Sequence, residues 1–370
     1  MKKYFLIVGI LFVFCGYIQN SNVKLPVLPE KNTISIIFAG DIMGHSPQFE
    51  AAYNPETNSY NYDACFKYVK PYIENADFAI ANLEVPIGGK PYSGYPNFSS
   101  PDALLDGLKN AGYDILLTAN NHVADRGKSG IERTIVQIEN RNFKHLGSYL
   151  DKNQRDSIYP LLLNVHGIKI AILNCTYGTN NNKVPKPTLV NVIDTFEINK
   201  DIRKADKLGA DLKILTLHWG VEYELQANKD QQKLARYFVK KGINLIIGSH
   251  PHVVQNAQIL NGKDSVQVPV FYSLGNSVSN QRKSNTDGGI MVQVEINIKT
   301  KKIDKSAFLP VWVYKGVLDS EYQYYLIPTI DFIKNPSNFK ISRSDSLLLR
   351  YFDTETRNRL SNIELIKSNL

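Results

Sequence analysis

Eight side chains able to bind a metal or move a proton follow closely on apolar runs: Asp41, His45, Glu84, Asn121, His122, His218, His250 and His252. Five of the chain's seven histidines are among them. Carboxylates, an amide oxygen and imidazoles make a mixed set that suits Mn, Fe or Zn better than Ca or Mg. Its size points to two divalent transition-metal ions, with a bridging carboxylate and an activated water as hydrolytic machinery. Each residue alone has a plainer reading. A single His at a strand end is more often a hydrogen-bonded loop or core residue. Asp41 after Gly40 is a common turn pair, and Glu84 before Val85-Pro86 could be a solvated loop acid. The repetition over five separate strand-like runs is what favours one shared site.

The apolar pattern shows which elements must hold these groups. Ile214–Leu217 delivers His218, and Ile243–Ile247 delivers Gly248-Ser249-His250-Pro251-His252. The stretch between them is amphipathic and long enough for a helix, so the two strands should be parallel and adjacent or nearly so. Pro251 fixes the backbone between two imidazoles two residues apart, which lets both face one side. Thr33–Ala39 leads to Asp41 and His45, Asp77–Leu83 to Glu84, and Tyr113–Thr118 to Asn121, His122 and Asp125. Asn121 offers an amide oxygen and His122 an acid or base. Asp125 is either a turn former or the partner that orients His122. The carboxyl ends of parallel strands are where open α/β sheets gather their chemistry.

Other segments are scaffolding. Phe66, Val69 and Ile73 have helical spacing. Ser100-Pro101-Asp102 reads as a helix start, and Ser129 to Glu132 as a capping box. Leu161–Val165 and Ile168–Asn174 read as a hairpin with His166 in its turn, and Phe196–Leu208 as a helix. Gly289–Ile298 alternates like a half-exposed antiparallel strand, with Ile303–Tyr314 as its partner. His145 and His166 lack companions and read as structural. The Gly/Pro/Tyr-rich loop Gly88–Ser99 is placed as a rim over the site. Beyond about residue 316 the chain carries Tyr-rich and polar helical stretches without a chemical motif.

Composition bounds the rest. The 370 residues are 43% hydrophobic and 21% charged, which is ordinary for a folded chain of one large or two small domains. The formal charge of +8 comes without a basic stripe interleaved with aromatics, so nucleic acid is not an expected partner. Cys15, Cys65 and Cys175 form no disulfide framework, and Cys65 and Cys175 read as buried free thiols. Lys2-Lys3 followed by the apolar Tyr4–Ile18 has the shape of an export signal or membrane anchor. The expected organisation is an export segment at 1–22, a linker at 23–32, a main domain at 33–315 and a C-terminal extension at 316–370, in the periplasm or cell envelope.

GDIMGH, NLEVP, ANNHVADRG, HWGVEY, GSHPHVVQ and FYSLGN, in that order, resemble the successive signatures of the CapA family of poly-γ-glutamate capsule synthesis. That family is similar to the calcineurin-like metallophosphoesterases. The resemblance spans roughly Ile34 to Tyr314 and implies an α/β fold, a four-layer α/β/β/α sandwich of the metallophosphoesterase type. It also implies a dinuclear centre. Asp41 and His45 look like the first metal-binding motif, with three residues between them where that motif has one. Glu84 stands where a bridging Asp is usual. Asn121 and His122 match the Asn-His motif, as ligand and as general acid, with Asp125 as the acid's partner. His218, His250 and His252 match the remaining metal histidines. Glu222 and Tyr223 of HWGVEY and Asn276 of FYSLGN are read as substrate contacts. The expected substrate is an anionic polymer or a phosphoester, and a membrane capsule synthase complex is an expected partner. A non-catalytic capsule-assembly role and a general nucleotide phosphodiesterase are the competing readings.

Overall fold

Thr33–Ile42 (TISIIFAGDI) is β-branched and apolar, and it becomes an inner strand of a nine-stranded sheet. The computed structural model describes residues 32–368. The export segment, most of the linker and Cys15 lie outside the described residues.

Across this sheet the main order is Glu321–Pro328, Lys302–Leu318, Gly288–Asn297, Thr33–Ile42, Phe78–Leu83, Ile115–Leu117, Lys144–Leu146. The last four run parallel, and the first three are joined antiparallel. A second sheet of six strands has the order Ala257–Asn261, Gln267–Phe271, Leu245–Ser249, Leu212–His218, Ile168–Thr176, Leu161–Val165. Its four inner strands are parallel. The expected pairing of the strands before His218 and before His250 is present: Leu212–His218 lies parallel beside Leu245–Ser249.

Alternation then stacks the layers. Along Thr33–Ile42, Ile34, Ile36 and Phe38 point to the cluster that also holds Ile170, Ile172 and Ile214 of the second sheet. Ile37 and Ala39 point the other way, to Phe66, Leu105 and Leu108 beneath the helix Ala103–Ala111. The helices Thr195–Lys207 and Lys229–Lys240 add Ile198, Ile202 and Phe238 to the core of the second sheet. The result is the four-layer α/β/β/α sandwich expected of the fold class. Two sheets buried on both faces need continuous apolar strands, and that is what the sequence supplies.

Several local expectations shift. Phe66, Val69 and Ile73 do share one buried face, but two short helices carry it, Asp63–Phe66 and Lys70–Glu74. Pro71 cannot donate to the carbonyl four residues back, which interrupts the run. Ser100 does not cap a helix: the helix begins at Ala103 with Asp102 before it, and Asp102 binds Arg133 at 2.7 Å through both oxygens. Ser129 lies inside the helix Gly127–Asn140, which starts early because the turns after His122 and Ala124 run straight into it. The Tyr-rich segment past 316 is in part a strand, Glu321–Pro328, whose Tyr324 and Leu326 face one layer and Tyr325 and Ile327 the other. The hairpin at His166-Gly167 is as read, with φ of 47° and 78° at its two turn residues.

Cys65 and Cys175 are buried free thiols. Burial pushes both thiols up, Cys175 to about 12, and the thiolate is the reactive form. Site-resolved alkylation of the native chain at pH 8 should therefore leave both unmodified, with full labelling in denaturant. Rapid native labelling of either would contradict this packing.

Candidate metal centre

Strand ends from both sheets meet at one place. Asp41 sits at the end of Thr33–Ile42, where its N–H donates to Gly275 O at 3.0 Å. Gly40 makes that approach possible, since a Cβ there would lie 2.1 Å from the same carbonyl. Asn82, in register with Asp41 on the neighbouring strand, donates to Asp41 Oδ1 at 2.8 Å. Glu84 follows one residue after that strand ends. From the second sheet come His218, in register with Ser249, and then His250 and His252.

Two groups of side chains converge closely enough to hold an ion each: Asp41, Glu84 and His252, and Glu84, His218 and His250. Glu84 belongs to both. Its Oε1 lies 3.4 Å from His218 Nε2 and 3.8 Å from His252 Nε2. Asn121 Oδ1 is 2.8 Å from His218 Nε2, beside the second group. Asp41, Glu84 and His218 are 0% exposed, so water does not offset their charges.

The electrostatics favour a cation. Both Glu84 oxygens are buried without a hydrogen-bond partner, and so is His250 Nδ1. An unpartnered buried carboxylate costs several kcal/mol. Burial first, then Asp41, pushes the Glu84 carboxyl well above the usual range. Burial and the neighbouring histidines hold His218 far below an ordinary imidazole. Burial and His252 hold His250 at about 4, against the pull of Asp41. At His252 burial also works against the charged form, but the hydrogen bond and charge of Asp41 outweigh it and raise the pKa. Two imidazoles held neutral and carboxyl oxygens with converging lone pairs, whose ionised form is costly without a cation, fit a pair of divalent transition ions. His250 and His252 also hold φ of 99° and 57°. Such strain, about 1–3 kcal/mol each, persists only where surroundings impose it and gathers at functional sites.

The pattern of the bacterial capsule synthesis protein PGA_cap family matches residues 35–281, well over half of the chain and a span containing Asp41, Glu84, Asn121, His218, His250 and His252. The chain belongs to the PGA_cap family. The capsule biosynthesis protein CapA of Bacillus anthracis is 28% identical over 304 residues, covering 78% of this chain and 71% of that protein. The PGA biosynthesis protein CapA of Bacillus subtilis (strain 168) is 27% identical over 293 residues, covering 77% and 73%. Among solved structures, a phosphatase from Mycoplasma pneumoniae overlaps 76% of this chain and 94% of its own, with 18% identity and a TM-score of 0.44.

Within this PGA_cap chain, a layer behind the converging groups fixes the imidazoles. His218 Nδ1 is 3.1 Å from Ser249 Oγ, and His252 Nδ1 is 3.0 Å from Asn276 Oδ1. The Asn276 oxygen accepts from His252 Nδ1–H and leaves His252 Nε2 turned toward Glu84, while His218 Nδ1 is held between Ser249 Oγ and the Asn82 amide with its Nε2 toward Glu84 and Asn121. Asn276 was expected to touch substrate. It is instead fully buried, and its amide nitrogen binds His252 O, Gln281 and Thr286 O. The strand it opens pairs with Asp41, which draws its side chain inward. Asn276→Ala should lower affinity for divalent ions about 10–100-fold, read by competition with a chelating dye. Unchanged affinity would show that His252 needs no such orientation.

His122 stands beside these groups and belongs to neither. Its Nδ1 is 2.8 Å from Asp125 Oδ2. Asp125 is itself held by Phe98 N–H at 3.0 Å and Asn182 Nδ2 at 3.3 Å. Phe98, from the rim loop, sets its ring edge-on to His122 at 4.6 Å and to His45 at 5.3 Å. His45 lies outside both groups. It precedes the helix Ser46–Ala52, its Nδ1 is 3.1 Å from Gln48 Oε1, and burial keeps its pKa near 4. The longer spacing from Asp41 thus places His45 at the N-cap of that helix.

Glu222 and Tyr223 are exposed at the mouth, and Tyr223 has its ring 6.3 Å from His252. Sequence reading missed Tyr177, which is half-exposed, lies parallel to the His218 ring at 6.3 Å and covers His250 at 4.6 Å. It directly follows the strand Ile168–Thr176, the same signal that marked the other site residues. Asn82 and Asn182 were also missed, because an Asn inside a strand or an Asn run in a loop carries no signature of its own.

Proposed function

We propose that this chain is an exported, metal-dependent hydrolase of the cell envelope that acts in capsule polymer metabolism. The observation that carries the proposal is the juxtaposition at Glu84. A fully buried, unpartnered carboxylate is shared by two ligand groups, next to a His122–Asp125 pair that takes no part in either. A site built only to hold metal has no use for such a pair.

Asp41, Glu84 and His252 would hold one ion, and Glu84, His218, His250 and Asn121 the other. Mn, Fe or Zn fits the donors. The chemistry such ions supply when bound is Lewis-acid polarisation of the scissile group and a water acidified enough to attack. Asp125 keeps the proton of His122 on Nδ1 while the imidazole is neutral. On protonation His122 carries a second proton on Nε2, and this is the one it delivers to the leaving group as general acid. Phe98 walls off one side of that imidazole and keeps water from it. Ser249 and Asn276 hold two ligand rings in place, and Tyr177 and Tyr223 shape the entrance.

The substrate is a phosphoester or the amide of an anionic capsule polymer, and a membrane synthase is the partner such a role calls for. The basic-then-apolar start of the chain supports export, and the two Bacillus relatives are named for capsule and PGA biosynthesis. No described helix is long and apolar enough to cross a membrane. Hydrolysis of an aryl phosphate and of poly-γ-glutamate, each with Mn, Fe or Zn supplied, tests the proposal. Turnover of either supports a hydrolase and names its class. Two bound ions with no turnover of any phosphoester or polymer amide would favour a non-catalytic assembly role.

A further inference from the structure

The side of the site that runs from His252 to His45 carries three exposed cations, Arg282, Lys283 and Lys315. Lys283 Nζ lies 5.0 Å over the ring of Tyr223, which neighbours His252. Arg282 and Lys315 each lie 5.4 Å over the ring of Tyr324. The Tyr324 hydroxyl donates to Asn280 Oδ1, Lys315 Nζ reaches the same oxygen at 3.2 Å, and Asn280 N–H is 3.4 Å from His45 Nδ1. The cations therefore border the site itself. Arg282 donates to the carbonyls of Val313 and Ser279, both at 2.8 Å. Among the described residues, no carboxylate lies in ion-pair range of any of the three. The nearby acid Asp287 is bonded to Trp312 Nε1 at 2.7 Å and attracts Arg282 from beyond ion-pair range.

Elsewhere on the described surface, cations such as Lys67, Lys213 and Lys301 are ion-paired to Asp319, Asp206 and Asp211. Three adjacent ones held by neutral oxygens and aromatic faces instead leave their charge available. We propose that Arg282, Lys283 and Lys315 form an oxyanion-binding track, which takes carboxylate or phosphate groups recurring along a polymer whose scissile bond lies at the centre beside it. This rests on reading the centre as the place where an anionic polymer is processed. Arg282 offers an oxyanion the guanidinium N–H groups not spent on Val313 O and Ser279 O, and the lysines act as point charges. Aromatic faces beneath the cations keep them extended without neutralising them.

The test is equilibrium binding to the full chain, stripped with EDTA so that no hydrolysis occurs. The probes are a dye-labelled γ-linked glutamate decamer and a labelled polyphosphate of matching charge, read by anisotropy. The track variant is Arg282→Gln/Lys283→Gln/Lys315→Gln. The charge-matched control is Lys263→Gln/Lys299→Gln/Lys302→Gln, at exposed positions on hairpin ends. The wild type should bind at least one probe, more weakly as salt rises. The track variant should lose at least tenfold in affinity with a shallower salt dependence, while the control stays within twofold. Loss confined to the glutamate probe assigns carboxylates, and loss confined to polyphosphate assigns phosphates. No binding of either probe by the wild type, wild-type affinity in the track variant, or equal loss in both variants would overturn the track. Turnover is not part of this readout, so an inactive chain that binds through these residues would count against the hydrolase proposal alone.

Discussion

Glu84→Gln is expected to remove both ions at once. The substitution keeps size and shape but deletes the one carboxylate common to both ligand groups. Metal content should fall from two per chain to below one, and hydrolysis about 10³-fold or more, the scale of about 4 kcal/mol in barrier. Without metal the effect on stability should reverse. Glu84 is fully buried beside Asp41, with neither oxygen bonded, so removing its charge relieves both burial and repulsion. The metal-free variant should melt a few degrees above the metal-free wild type, yet gain little on adding Mn or Zn. The wild type should gain strongly, by linkage to a ligand that binds only the folded chain. Calorimetry with and without EDTA reads both signs. A Glu84→Gln chain that still holds two ions would contradict the sharing of this residue.

His122→Ala should separate catalysis from metal binding. The ring lies in neither ligand group, so two ions should be retained, while turnover should drop about 10²–10⁴-fold as expected for loss of a positioned general acid. The loss should depend on the leaving group. A nitrophenolate departs without a proton and should hardly notice the change, whereas an alkoxide or an amine should show all of it. Asp125→Asn should fall between, because it keeps a hydrogen-bonding partner at His122 Nδ1 but no longer stabilises the charged ring. Equal losses for good and poor leaving groups would assign His122 to substrate or water positioning. Loss of metal in His122→Ala would make it a ligand.

Much of this was legible in the sequence because strand ends are. Asp41, Glu84, Asn121, His218, His250 and His252 each follow an apolar run that ends at the same edge of a sheet, and the structure brings them together. What the pattern did not show is how the two sheets face each other. Asn82 is an interior strand residue by sequence, and only the stacking of the second sheet puts its amide between Asp41 and His218 Nδ1. Asn276 and Tyr177 follow apolar runs alike in the sequence, yet one opens a strand that pairs with Asp41 and is drawn inward, while the other is left on the rim. Alternation gives a side chain's face, not its depth. His45 shows the limit of spacing, since a four-residue step placed it at a helix N-cap rather than on the ligand groups. Helix starts at Ser100 and Ser129 were misplaced for a related reason: tertiary bonds of Asp102 and the turns after His122 set those boundaries.

The measurement closest to the central claim is anomalous diffraction from crystals of the chain grown with Mn or Zn, paired with elemental analysis of the same preparation. Two peaks should appear, one on either side of the Glu84 carboxylate. One should be bounded by Asp41 and His252, the other by His218, His250 and Asn121, with close to two ions per chain in solution. A single peak, or none with metal in excess, would contradict a shared two-ion centre. The buried Glu84 would then be the partner of a bound proton or an organic cation instead.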